Sequence, residues 1–404
     1  MKKHFYLFAI LASLVLVMTS CKDDEPDNND TPDSGNLIIS ANITENTTWT
    51  SDKVYQLGGR ITVVDGITLT IDPGTIIKGE AGTGANATAL LIARGGKLNA
   101  EGTATKPIIF TSVADEITPD DITAGNFGSP NLDPNINGLW GGLLICGKAP
   151  ISASNDASGD VSEVQIEGIP TSDPNGLYGG DVADDNSGII KYVSIRHGGT
   201  NIGSGNEING LTLGGVGNGT TIENIEVVAN QDDGIEFFGG TVNVTNVVIW
   251  NNGDDAIDTD QSWAGTLDNF FLITPNDHCF ELDGPEGSTE ARHTIKNGAI
   301  MTTELDGDGE VVRMSADLIN VDDNSIVNLE NLYFTNVQDG QKINRVTAAQ
   351  VEFTDIFINV AAEDLTNHVE GDVPNGVNAG QTNTANASPL SWTWAAQAGK
   401  LAEF

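Results

Sequence analysis

The chain is poor in basic residues, in cysteine and in long hydrophobic runs. Its 404 residues include 18 Lys and Arg against 57 Asp and Glu, which gives a formal net charge of -39. Nucleic acids and anionic membrane surfaces repel such a chain, so the charge argues against both as partners. A polyanionic substrate would need a divalent cation to bridge it to the protein.

Cysteine occurs only at Cys21, Cys146 and Cys279. The last two lie in apolar, strand-like segments that are far apart in the sequence. We therefore expect two small buried residues, with a disulfide between them as the alternative.

Only one apolar run is long, and it begins at Phe5 and ends at Met18. A charged start and small residues flank it, so residues 1–20 are predicted to be a signal peptide. Ser20 and Cys21 at its end resemble a bacterial lipobox, and this resemblance implies lipidation of Cys21. The sequence KDDE at residues 22–25 resembles the export tag of Bacteroidetes surface lipoproteins. The expected location is the outer membrane, with the protein lipid-anchored and exposed at the cell surface.

Domain organisation follows from composition. Residues 21–36 are acidic and rich in Pro and Asn, so we expect a flexible tether there. From residue 37 onward, Gly, Asn, Asp, Thr, Val and Ile dominate and helical signals are scarce, which is typical of many short strands. Residues 37–404 are predicted to form a single all-β domain.

Three consecutive segments beginning at Thr221, Asn243 and Thr266 can be aligned with one another. A repeat of this length, with apolar alternation separated by Asn, Asp and Gly, predicts a stacked β-solenoid. Period-2 alternation in each segment predicts an inward apolar pair: Ile235 with Phe237, Ile257 with Thr259, and Phe280 with Leu282. The aligned polar columns are Asn224, Asn246 and Asn269; Asp232, Asp254 and Asp277; Asp233, Asp255 and His278; and Glu236, Asp258 and Glu281.

Two earlier stretches resemble the opening coils of right-handed parallel β-helix proteins with the pectin-lyase-like fold. They read ITVVDGITLTIDPGTIIKG at residues 61–79 and GGKLNAEGTATKPIIFTS at residues 95–112. They also resemble a functionally uncharacterised group of Bacteroidetes surface lipoproteins. The resemblance implies a right-handed parallel β-helix. We expect loop insertions at residues 113–137 and 170–188 on one face, and a C-terminal cap at residues 391–404 over the last coil.

The column of Glu236, Asp258 and Glu281 is expected to point outward, with neighbouring residues about 4.8 Å apart. Like charges at that spacing repel, so such a column raises carboxyl pKa values, binds a cation or binds another ligand. Calcium held by these three residues is the simplest expectation. The alternative is that the acidic turns are solvated and purely structural. The candidate ligand-binding residues are Glu236, Asp258, Asp260, Trp263, Glu281 and Asp283, with Trp263 expected to be exposed beside the acidic face.

The sequences NQDDG and GDD on successive repeats resemble a pair of motifs in the polygalacturonase family. By position, the resemblance implies catalytic roles for Asp233, Asp254, Asp255 and His278, with paired carboxylates acting as acid and base. The glycines that flank the family's histidine are absent here, and its Arg-x-Lys motif is not matched. Three functions therefore remain open: a surface lipoprotein that binds a carbohydrate or similar polymer with calcium, a polysaccharide hydrolase or lyase, and a structural or adhesive protein.

Overall fold

A computed structural model of the chain describes residues 36–155, 157–203, 208–346 and 350–404. The predicted signal peptide, Cys21 with its predicted lipidation, and residues 22–35 of the predicted tether lie outside the described residues. The strands are β1 (Leu37–Ile39), β2 (Thr47–Trp49), β3 (Val54–Leu57), β4 (Arg60–Val63), β5 (Thr68–Ile71), β6 (Ile76–Gly79), β7 (Ala89–Ile92), β8 (Lys97–Glu101), β9 (Ile108–Ser112), β10 (Leu143–Cys146), β11 (Ala153–Asn155), β12 (Gly159–Val161), β13 (Val164–Gln165), β14 (Leu177–Tyr178), β15 (Gly188–Arg196), β16 (Leu211–Gly214), β17 (Thr221–Val228), β18 (Ile235–Phe238), β19 (Val244–Trp250), β20 (Ile257–Asp260), β21 (Thr266–Ile273), β22 (His278–Leu282), β23 (His293–Met301), β24 (Thr303–Leu305), β25 (Val311–Met314), β26 (Asp317–Val321), β27 (Ile326–Thr335), β28 (Gln350–Ile358) and β29 (Val377–Ala379).

Helices are few and short, as the composition predicts. They are the α-helices α1 (Pro119–Ala124) and α2 (Trp394–Gln397), and the 3-10 turns Gly84–Asn86, Pro174–Gly176, Leu365–His368, Ser388–Leu390 and Lys400–Glu403. None of the helices in the described ranges has the length and apolar character needed to cross a bilayer.

Most of the described strands stack into two parallel sheets, and the other six form the antiparallel pairs β11–β12, β13–β14 and β24–β25. The long sheet has 15 strands and follows the path β1-β3-β6-β9-β15-β17-β19-β21-β23-β27-β28-β29, with β2, β5 and β8 beside it. The short sheet has 8 strands in the order β26-β22-β20-β18-β16-β10-β7-β4. The chain alternates between the sheets from β15 to β23, so each repeat contributes one strand to each. This is the stacking of a right-handed parallel β-helix, and the predicted fold class is confirmed.

The space between the sheets is filled by the predicted inward residues. Ile235, Phe237, Ile257, Phe280 and Leu282 are fully buried in one continuous apolar core. Thr259 takes the same place in β20 and is also fully buried. The inward side chains of each coil pack on those of the next coil. Stacking therefore builds a core that no single repeat could form.

The asparagine column is structural, as predicted. Asn224, Asn246 and Asn269 bend the long strands with φ angles of 58°, 61° and 59°. Asparagine tolerates this left-handed conformation better than most residues, since its short amide can bond locally. The amide of Asn269 donates to Oδ1 of Asn246 at 2.7 Å, which links consecutive coils.

The two loop insertions cover different sheets, not the single face expected from the sequence. Residues 113–137 carry α1 and pack Ile117, Ile122 and Phe127 against outer side chains of the long sheet. In contrast, Tyr178 of the second insertion, with Ile166 and Ile169 just before that insertion, packs against outer side chains of the short sheet. The reason is that both sheets present apolar side chains outward in their early coils, and each needs cover.

The C-terminal segment lies along the outer face of the long sheet and not across its last coil, where the cap was expected. Trp394 packs among outward side chains of four neighbouring strands, and its ring lies 5.6 Å from that of Trp250. Those strands are apolar on both faces, so they require a covering layer that the segment supplies. The two thiols expected to be buried, Cys146 and Cys279, are buried and unpaired with each other.

Candidate functional site

The predicted acidic column lies on the outer face of the short sheet, with its members aligned in register. Glu236 of β18 pairs with Asp258 of β20, and Asp258 pairs with Glu281 of β22. The column begins at Thr212 in β16 and ends at Asn320 in β26. The sequence alignment of the repeats therefore placed these carboxylates correctly on adjacent strands.

The first acidic residue of the column, Glu236, is buried, although its side chain points away from the core between the sheets. Glu236 is only 6% exposed, and Asn209 donates a hydrogen bond to its Oε2. Burial, together with the charge of Asp233, raises the pKa of Glu236 well above its usual value. Burial and the charge of Glu236 do the same to the pKa of Asp258. This end of the acidic face is therefore shielded from solvent, whereas Asp258, Asp260, Glu281 and Asp283 are partly exposed.

The second acidic pair on the same face is less enclosed. Burial and the charge of Glu286 raise the pKa of Asp260 to about 8. Burial and the charge of Glu281 raise the pKa of Asp283 to about 6. At neutral pH this pair of residues therefore carries less negative charge than two ordinary aspartates would.

The turn carboxylates before the short strands connect one coil to the next. Oδ1 of Asp233 accepts a hydrogen bond from the backbone N–H of Asp255 at 2.9 Å. Oδ1 of Asp255 accepts one from the backbone N–H of His278 at 2.5 Å. Asp254 lies beside Asp255, within 4.8 Å of it and of Asp277, measured between potential ligand oxygens. These turn residues hold the coils in register whatever further role they have.

His278 forms the centre of a small acid–base group. Its Nδ1 lies 3.0 Å from Oδ1 of Asp255, and its Nε2 lies 3.5 Å from Oδ1 of Asp277. Burial alone would lower the pKa of His278, but the hydrogen bond and charge of Asp255 outweigh it and raise this pKa to about 9. Burial and Asp255 also raise the pKa of Glu281 to about 7. The group thus combines an imidazolium with a carboxyl that titrates near neutral pH.

The predicted exposure of Trp263 is wrong. The side chain is 1% exposed, and its ring stacks on Phe237 with centroids 3.9 Å apart. Its Nε1 donates to the carbonyl of Val242 at 3.0 Å, so its only polar atom is satisfied inside the protein. The chain turns sharply after β20, and this turn directs Trp263 back into the core. It therefore offers no face on which a sugar could stack.

Residues 41–399 match the family model described as pectate-lyase like beta helix domain. The chain belongs to this family. No curated protein matches the sequence.

Two solved structures resemble this member of the family in fold. One is the catalytic unit of a GH87 alpha-1,3-glucanase from Streptomyces thermodiastaticus, with 14% identity, a TM-score of 0.33, and coverage of 77% of this chain and 47% of that chain. The chain therefore spans about half the length of the glucanase unit. The other is a family 28 exopolygalacturonase from Yersinia enterocolitica, with 13% identity, a TM-score of 0.21, and coverage of 80% and 74%.

Sequence reasoning missed a polar cavity of about 330 Å³ that adjoins the acidic column in this β-helix. Asn320 connects the two, since its amide donates to Oε1 of Glu281 at 3.0 Å. The next coil contributes exposed basic side chains beside the cavity, which the earlier pattern did not contain. The lining residues are Asp317, Asn320, Lys342, Asn344, Arg345 and Glu370. One signal could have revealed it: Ile343-Asn344 repeats Ile319-Asn320, and Ile319 and Ile343 pair in parallel.

The carboxylates do not group as the proposed calcium triad of Glu236, Asp258 and Glu281. Within the described ranges, Asp233, Glu236 and Asp258 bring ligand oxygens within 4.8 Å of one another. Glu281 instead lies with Asp255 and His278, whose potential ligand atoms are also within 4.8 Å of one another and of Glu281. The face thus has a buried all-carboxylate part and a more open part that contains the imidazole.

Proposed function

We propose that the protein binds an extracellular carbohydrate, or a polymer with similar hydroxyl chemistry, on the outer face of the later coils of the short sheet. The proposal rests mainly on the polar cavity lined by Asp317 and Glu370 among others. This cavity opens beside Glu281 and His278. The column of register-aligned polar side chains leads directly into it. A linear polymer could therefore contact several coils at regular spacing.

The chemistry of the cavity favours a ligand rich in hydroxyl groups. Amides, carboxylates and cations alternate along its wall, so it offers donors and acceptors in close succession. Oδ1 of Asn344 is buried without a hydrogen-bond partner, while its Nδ2 donates to Asp317 at 2.9 Å. A hydroxyl group donates to such an oxygen and can accept from Lys342 beside it. The exposed ammonium of Lys342 and guanidinium of Arg345 keep the local charge less negative than that of the whole chain.

The proposed function includes a location for the protein at the outer membrane. Lipidation of Cys21 would attach the protein to the outer membrane, and residues 22–36 would separate the β-helix from the lipid. One lipidated terminus with an acidic spacer suits a binding domain held away from an anionic membrane surface. Polymers outside the cell are then the accessible ligands.

Glycoside cleavage is the second candidate function, and one observation favours it. The pKa of Glu281 at about 7 makes it a carboxyl that can donate a proton at neutral pH, beside the Asp255–His278 pair. Asp255→Asn tests this candidate, since an amide oxygen still accepts from the backbone N–H of His278. Cleavage predicts loss of turnover with little change in Tm. Equal release of reducing ends by the variant would reject it.

A panel of neutral, uronic and amino-sugar polysaccharides tests the proposed function. The mature β-helix, residues 37–404 on the predicted boundaries, should retain at least one polymer in affinity gel electrophoresis at physiological ionic strength. The same reactions, assayed for reducing ends, separate binding from cleavage. Absence of retardation by every polymer in the panel would contradict the proposal and leave the structural or adhesive alternative.

A further inference from the structure

One part of the acidic face brings three carboxyl groups close together. Potential ligand oxygens of Asp233, Glu236 and Asp258 lie within 4.8 Å of one another. Asp233 is 8% exposed and Glu236 is 6% exposed. The largest charge effects on these three groups all come from other Asp and Glu side chains. Three ionised carboxylates in such a place are strongly unfavourable unless protons or a cation neutralise them.

Unpartnered oxygens on neighbouring residues point to a ligand and not to protons alone. Thr212 and Asn209 are both 2% exposed. Oγ1 of Thr212, Oδ1 of Asn209 and Oδ1 of Asp258 are buried without hydrogen-bond partners. Thr212 pairs in register with Glu236 on the outer face, and the amide of Asn209 donates to Glu236. Buried oxygens without hydrogen-bond partners are uncommon in folded proteins, so three on neighbouring residues call for a common partner.

We infer that a divalent cation, most suitably calcium, binds between β16, β18 and β20 with the carboxylates of Asp233, Glu236 and Asp258 as ligands. Oγ1 of Thr212 and Oδ1 of Asn209 complete the oxygen set. Calcium takes six to eight oxygens with flexible geometry, whereas zinc prefers nitrogen and sulfur ligands, which this group lacks. The bound cation joins three successive coils, so its role is to fix the acidic face. The inference stands independently of the carbohydrate proposal.

Metal analysis of the mature protein tests the site directly. After dialysis against EDTA and then against calcium, we expect one equivalent of tightly bound calcium by mass spectrometry of the digested protein. Calorimetric titration should show at least about 10-fold weaker binding for Glu236→Gln, since a charged ligand is lost. Asp339→Asn removes an exposed acid elsewhere and should bind calcium as the wild type does. Asp306→Asn alters the separate acidic loop at residues 306–310 and should also leave the affinity unchanged.

Thermal unfolding gives a second measurement that needs no variant. At a calcium concentration 100 times Kd, Tm should exceed that in EDTA by about 3–4 °C. An unchanged Tm together with no stoichiometric calcium would overturn the inference, because the cluster would then be neutralised by protons alone. Equal affinity in Glu236→Gln, or lost binding in Asp306→Asn, would place the ion elsewhere and also reject this site.

Discussion

Replacing Arg196 by methionine is expected to lower the free energy of unfolding by about 3–5 kcal/mol, because it leaves a buried carboxylate without its counter-charge. Arg196 and Glu226 are fully buried, with Nη2 of Arg196 and Oε2 of Glu226 3.4 Å apart. Ser194 lies between them, accepting from Nε of Arg196 at 2.7 Å and donating to Glu226 at 2.6 Å. The C-terminal segment closes this group, since the N–H of Ala395 donates to Oε1 of Glu226.

A matched control lies on the same pair of strands. Lys191 and Glu223 form an ion pair at 2.5 Å, with side chains 31% and 36% exposed. Lys191→Met should therefore cost less than about 1 kcal/mol in urea unfolding. Adding Glu226→Gln to Arg196→Met should recover part of the loss, since the uncompensated charge is removed. If Arg196→Met costs no more than Lys191→Met, the buried pair does not stabilise the attachment of the C-terminal segment.

The second large effect is a loss of stability in acid caused by His293. This side chain is 3% exposed, and its Nε2 has no hydrogen-bond partner. Burial, with a smaller effect from the charge of Arg292, lowers the pKa of His293 to about 3. The unfolded chain takes up a proton near pH 6.5 while the folded protein stays neutral. The contribution of neutral His293 to the free energy of unfolding is therefore fully present above pH 6.5. Below that pH it falls by about 1.4 kcal/mol per pH unit toward pH 3.

Comparison with His293→Gln isolates this histidine from the carboxyl groups that titrate in the same range. Between pH 6.5 and 4.5, the wild type should lose about 2 kcal/mol relative to the variant in urea unfolding. Absolute stabilities of the two proteins are not the readout, because a buried glutamine has its own cost. Parallel stability curves over this range would mean that the folded protein protonates His293 as readily as the unfolded chain does.

The fold was predictable because stacking repeats one physical constraint many times. Each coil must bury an inward apolar pair, so residues such as Ile257 and Phe280 recur with little change in spacing. The turn asparagines recur for an equally local reason, since each occupies a left-handed position. Patterns of this kind, which recur at the same position of every coil, can be recognised in a single sequence. The alignment of Glu236, Asp258 and Glu281 followed from the same repetition.

The environment of those residues was not predictable, because it depends on segments that are distant in sequence. Trp263 follows a polar stretch, yet one turn directs it inward onto Phe237. Glu236 faces outward, yet it is 6% exposed, and Tyr178 from a distant insertion packs on Phe238 of the same strand. The polar cavity was hidden for a similar reason, since the β24–β25 hairpin interrupts the repeat before Lys342. Tertiary cover decides whether an outward position is exposed, and no local pattern encodes it.

The central claim is that the later coils of the short sheet carry the ligand site. Its most direct test is to measure how tightly site variants bind a polymer that the wild type binds. Lys342→Gln and Asn344→Ala should each weaken binding about 10-fold or more in calorimetric titration, through loss of hydrogen bonds to the ligand. Lys53→Gln removes an exposed cation from the first coils and should bind as the wild type does. Unchanged affinity in both site variants, with folding intact, would contradict the account and place recognition on another surface.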